Sequence, residues 1–132
     1  MKDTLIRHFL SNINNLNRKK HAFAQLDYNK TNHFIATFLT KEGYLRGFFF
    51  FQKYLKKKIC VIPKYDVEDK SSILFIEKKN KFFNNSQFIK RKGLTKICNG
   101  LGIGLISTIK GFISNESTFW LKIGGKHIFK LK

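Results

Sequence analysis

The chain has 132 residues, with 26 Lys and Arg against 8 Asp and Glu, and a formal net charge of +18. Like charge at that density opposes compaction until a polyanion neutralises it and releases counterions, so nucleic acid, ahead of an anionic membrane surface, is the expected partner class. The basic residues divide evenly, 13 in residues 1–66 and 13 in residues 67–132, in a chain that is 42% hydrophobic, which excludes a disordered basic arm and points to a folded basic protein.

Asp3 and Thr4 precede Leu5, Ile6, Phe9, Leu10, Ile13 and Leu16. The i, i+3, i+4, i+7 spacing predicts an amphipathic helix with an N-cap, ending in the run Asn17–Lys20. Residues 22–28 alternate and predict a short strand. Asn29 or Thr31 is the expected cap of a second helix through Leu39, with Gly43 as its C′ residue. Residues 44–54 and 58–63 read as a hairpin that turns at Lys56 and Lys57. The run Phe48–Phe51 cannot all face one side of a sheet, so half of it is expected to be covered by the other half of the chain or by a partner.

Residues 63–70 hold the only proline and three of the eight acids, and read as a linker. Residues 72–77 (SILFIE) predict a strand, residues 78–92 an irregular basic stretch, and residues 101–107 (LGIGLIS) a strand turned by Thr108–Gly111. Ser114 is the expected cap of a short helix through Trp120, and Gly124-Gly125 turns into a last strand, residues 127–131. The fold class is therefore α+β in two small modules. Residues 1–66 form an α-β-α-β-β unit, and residues 67–132 a mostly β unit with a short helix.

Enzymatic readings are weak. The GLGIG segment (Gly100–Gly104) lacks the dinucleotide spacing and the Gly-Lys-Ser/Thr end of a phosphate loop. The acids are dispersed, whereas nuclease chemistry wants clustered carboxylates for metal ions. His8, His21, His33 and His127 show no ligand spacing. No catalytic residue, metal, cofactor or small-molecule substrate is expected. Cys60 and Cys98 stand apart among aliphatic neighbours and read as buried thiols. The longest charge-free run, Ile97–Ile109, has 13 residues and three glycines, too short and too glycine-rich to span a bilayer. No targeting segment is evident, and no membrane partner is expected. The sequons at Asn29 and Asn115 carry little weight without a secretory signal.

The STIKG stretch (Ser107–Gly111) is more informative. Two hydroxyls, a lysine and a glycine at a strand end make a compact donor surface for phosphate, ribose or base edges, although a plain polar turn would look the same. In context it becomes specific. GLGIGLISTIKG, then SNE, then GGK resembles the small-subunit ribosomal protein eight family, whose pattern is G-[IL]-G-I-x-x-x-S-T-S-x-G, T-D-x-E-A and G-G-E. DTL (Asp3–Leu5), Asn29-Lys30 and the helix ending AxxLxKEGYL (Ala36–Leu45) match the family's N-terminal blocks. The resemblance spans essentially the whole chain.

The resemblance implies a protein of the small ribosomal subunit that binds the central domain of its rRNA and supports assembly and translation beside neighbouring subunit proteins. Its serine-threonine-serine loop would dock in an irregularity of an RNA helix, where unpaired features and 2′-hydroxyls can be read. By position, Ser107, Thr108, Lys110 and Gly111 inherit the loop role. Lys126 stands at the family's G-G-E glutamate. Thr4, Arg7 and Lys30 are the expected N-terminal contacts, and Lys90, Arg91 and Lys92 the expected phosphate contacts. Ile109 replaces the second loop serine, Asn12 and Asn14 replace helix arginines, and Phe82–Asn85 with Ile89 replaces the R-P-G block and its aromatic. The alternative is a basic RNA-binding protein outside the ribosome, such as an RNA chaperone. Phe, Ile, Lys and Asn supply 63 of the 132 residues. These are amino acids of A- and T-rich codons, and they point to an organelle genome. A mitochondrion is expected, with a plastid or an AT-rich bacterium as the alternative.

Overall fold

The computed structural model describes residues 2–74, 76–78, 88–89 and 100–132. The chain is mixed α+β and forms two compact units, Met1–Ile73 and Leu74–Lys132.

The first unit opens with α1 (Lys2–Lys19), which places Ile6, Phe9, Leu10, Ile13 and Leu16 in the core. The helix starts before Asp3, so Asp3 and Thr4 occupy its first turn and do not cap it. Arg18 and Lys19 suit its last turn. β1 (Ala24–Asp27) leads to α2 (Lys30–Lys41), whose Ile35, Ala36, Phe38 and Leu39 are buried. Asn29 is the N-cap by backbone position, without a side-chain capping bond.

β2 (Leu45–Lys53) and β3 (Lys56–Pro63) form a hairpin, and the sheet order is β1-β3-β2, all antiparallel. The turn falls at Tyr54–Leu55, not at Lys56 and Lys57. The observed register sets Phe50 opposite Ile59. A turn two residues later would set Phe50 opposite Pro63, the last residue of β3, and leave Leu45–Phe49 without partners on that strand. Period-2 alternation then divides the phenylalanine run. Phe48 and Phe50 share a face with Ile59, Val61 and Leu26 and meet the His33 ring of α2 at 5.7 and 5.1 Å. Phe49 and Phe51 take the opposite face, with Phe49 51% exposed.

The segment after β3 is tied back to α1. The Tyr65 hydroxyl lies 2.8 Å from the His21 carbonyl oxygen and 3.2 Å from that of Leu16. Tyr65 also bridges Ser71, and Asp66 and Lys70 close a turn between them. Residues 63–70 thus belong to the first unit, which runs on to Ile73.

The second unit contains β4 (Ile76–Lys78), β5 (Phe88–Ile89), β6 (Ile103–Thr108), β7 (Gly111–Ser114), α3 (Asn115–Leu121) and β8 (Gly125–Leu131). The sheet order is β4-β8-β6-β7, with β5 also pairing β8. Residues 72–74 lie before the strand, although the Leu74 N–H reaches the Lys132 carbonyl. β5 falls inside the stretch expected to be irregular, and β7 fills the gap left between the turn and the helix. A register shift between Leu105 and Ile106 lets both neighbours be buried, as a bulge allows. With Ile103, Phe129 and Leu131 they make this unit's core.

Candidate nucleic-acid interface

The β6–β7 hairpin presents the Ser107–Gly111 segment. Thr108 pairs with Gly111 across a turn made by Ile109 and Lys110. The Thr108 hydroxyl donates to the Gly111 carbonyl oxygen at 2.8 Å and accepts the Lys110 N–H at 3.2 Å. In this structure its proton is directed to the loop's own backbone. Thr108 closes the turn, with Ser107 half-buried before it and Lys110 exposed within it. Ile109 at the tip is 94% exposed. Gly111 has φ +105 with open space where a Cβ would stand, so the loop needs glycine there and leaves backbone accessible.

The neighbouring strand completes the surface. Ser107 is the cross-strand partner of Lys126 on β8. This pairing sets a lysine beside the loop serine. Gly125 makes this possible. A Cβ on it would overlap the Ser107 carbonyl oxygen and stand 2.8 Å from Ile106 Cγ2 and 2.9 Å from Thr108 Cγ2. In the sequence, Gly124-Gly125 reads only as a turn. The doubled glycine was a visible signal, but its role depends on which strand lies against it.

α3 supports the loop from its far end. The Ser114 hydroxyl accepts the Ser117 N–H at 3.2 Å, the expected cap. The Asn115 side chain accepts the Gly104 N–H at 3.0 Å, fastening the helix start to β6. Thr118 is fully buried and donates to the Asn115 carbonyl at 2.6 Å. Phe119 and Trp120 remain exposed, at 57% and 74%.

The N-terminal candidates lie on the first unit. Thr4 and Arg7 are one turn apart on α1, and Lys30 opens α2; Thr4 and Lys30 are exposed and Arg7 half-buried. Lys90, Arg91 and Lys92 lie outside the described residues, as does the segment Phe82–Asn85. Lys58 meets Asp27 at 3.3 Å, and Lys70 meets Glu68. Both acids are solvent-exposed, so these pairs add little stability.

The sequence model of the family described as Ribosomal protein S8 matches residues 4–131. Among curated relatives, the small ribosomal subunit protein uS8 of Ligilactobacillus salivarius is 32% identical over 123 residues, covering 93% of this chain and 92% of the relative. The uS8 of Streptococcus suis is 29% identical over 123 residues, with the same coverage. The small ribosomal subunit protein uS8c of Thalassiosira pseudonana is 31% identical over 126 residues, covering 92% of each chain.

Proposed function

We propose, for a chain that belongs to the ribosomal protein S8 family, that it is a structural constituent of a small ribosomal subunit and binds that subunit's rRNA. The observation that carries the reading is the Ser107–Gly111 hairpin, with its rigid Thr108-closed turn, its open Gly111 backbone and Lys126 beside Ser107. In this reading the Ser107 hydroxyl and exposed backbone meet an irregular feature of an RNA helix. Lys110 and Lys126 neutralise the adjoining phosphates. Thr4, Arg7, Lys30 and the Lys90–Lys92 cluster add contacts to the sugar-phosphate backbone. A net charge of +18, divided evenly over the chain, suits a protein held against RNA by both units.

The finer role follows from the same reading: docking on the central domain of the rRNA during assembly, next to other small-subunit proteins. The A- and T-rich codon composition supports translation inside an organelle, with a mitochondrial ribosome as the first candidate and a plastid or bacterial one as the alternative. Sedimentation of a native lysate at moderate salt tests the function. The protein is expected to travel with small subunits. Recovery solely in free-RNA or light fractions would refute the ribosomal role and favour an RNA chaperone.

A further inference from the structure

The β2–β3 hairpin carries features that its own stability does not explain. Tyr54 and Leu55 form its two-residue turn, both with positive φ, 49° and 61°. Such turns favour Asn-Gly, because other side chains are strained in the left-handed region. Both side chains nevertheless stand in solvent, 87% and 92% exposed, so packing does not offset that strain. Directly behind the turn, Lys53 and Lys56 are cross-strand partners. Like charges so placed destabilise a sheet unless an anion joins them.

The surroundings add to the imbalance. Lys57 follows and lies 4.3 Å from the Tyr28 ring centroid and 4.9 Å from that of Phe50. Lys53 sits 5.5 Å from the Tyr54 ring centroid. Down the strand, on the face away from α2, Phe49 and Phe51 hold their rings 6.2 Å apart. An exposed aromatic held by backbone, flanked by lysines at strand spacing, is the chemistry that accepts single-stranded nucleic acid. Bases stack on the ring, and the cations take the phosphates.

We propose that the tip of this hairpin is a second RNA-contacting element, in which Tyr54 stacks on an unpaired base and Lys53 and Lys56 hold the flanking phosphates. The proposal rests on the reading of the chain as an RNA-binding protein, but uses no residue of the Ser107–Gly111 loop.

The test uses the full chain, a labelled uridine octamer as the single-stranded probe, and a small-subunit rRNA helix fragment in parallel. Tyr54→Asn with Leu55→Gly supplies the residues this turn prefers while removing the aromatic. Its Tm is expected to hold or rise, while octamer affinity falls about tenfold, as loss of one stacked base predicts. Tyr54→Phe is expected to retain binding. Lys53→Ala with Lys56→Ala is expected to reduce the salt slope by about 0.7 per lysine on a single strand. Unchanged octamer affinity in the Asn-Gly variant would overturn the proposal. So would Tyr54-dependent binding to phosphatidylserine vesicles by a chain that ignores the octamer. If the wild type binds the helix fragment but not the octamer, the hairpin proposal alone fails. If it binds neither, the RNA reading itself fails.

Discussion

Gly125 on β8 lies directly against Ser107 on β6, so closely that a single methyl group on Gly125 would overlap the Ser107 carbonyl oxygen. The contact is backbone to backbone and cannot be relieved by turning a side chain. It fixes where the loop serine stands relative to Lys126, its partner across the strands.

Gly125→Ala should therefore act on stability and binding together. Overpacking of this kind costs about 1–3 kcal/mol. Thermal unfolding should show a lower Tm, and affinity for an rRNA helix fragment should fall even though no RNA-facing group has been removed. An unchanged Tm would mean that the two strands do not approach this closely.

Ser107 and Thr108 should separate. Thr108→Val removes the hydroxyl that donates to the Gly111 carbonyl, and should cost about 1 kcal/mol of stability. Ser107→Ala should leave Tm unchanged while weakening rRNA binding by about 1 kcal/mol, and by more if the contact is buried in the complex. Denaturant unfolding and fragment titration on each variant distinguish them. The reverse pattern would assign the two hydroxyls the opposite roles.

Much of this arrangement was legible in the sequence, for identifiable reasons. α1 shows its buried face as a clean helical period from Ile6 to Leu16. The C-terminal loop becomes legible only through its context, GLGIGLISTIKG followed by SNE and GGK. β7 escaped notice because its four residues, GFIS, sit between a turn and a helix cap and offer too few positions for a period. The hairpin turn falls at Tyr54–Leu55 although Tyr54 suits a strand and Lys56 and Lys57 look like turn residues. Register against Ile59 and Val61 outweighed that preference. The part Thr108 plays inside the loop, and the tight seat of Gly125, depend on strand pairing that no local pattern encodes.

Lys110→Ala and Lys126→Ala should each flatten the dependence of log K on log salt by roughly 0.7–0.9, one phosphate contact apiece. Lys126→Glu should weaken binding more than Lys126→Ala, because it adds repulsion. Titrations of the rRNA fragment across a salt series measure both. A wild-type slope in both Lys126 variants would place Lys126 away from phosphate.

Cys60 is 1% exposed, and burial raises its thiol above the usual 9.0. The folded state thus holds its proton more tightly than the unfolded state does. The stability this contributes is intact below pH 9.0 and is lost as pH climbs through the raised folded value. Unfolding free energy should therefore fall more steeply above about pH 9 in the wild type than in Cys60→Ala. In a Cys98→Ser background, alkylation of Cys60 should be slow until the protein is denatured. Rapid alkylation under native conditions would contradict the burial.

The central claim is that the Ser107–Gly111 hairpin supplies the specific part of RNA binding and the lysines the sequence-blind part. The most direct measurement compares the full chain's affinity for a central-domain rRNA helix fragment with that for a regular duplex of equal length, before and after Ser107→Ala. The wild type is expected to prefer the irregular fragment, and Ser107→Ala to erase most of that preference while leaving duplex binding unchanged. Equal affinity of the wild type for both RNAs, or a preference that survives the substitution intact, would contradict it.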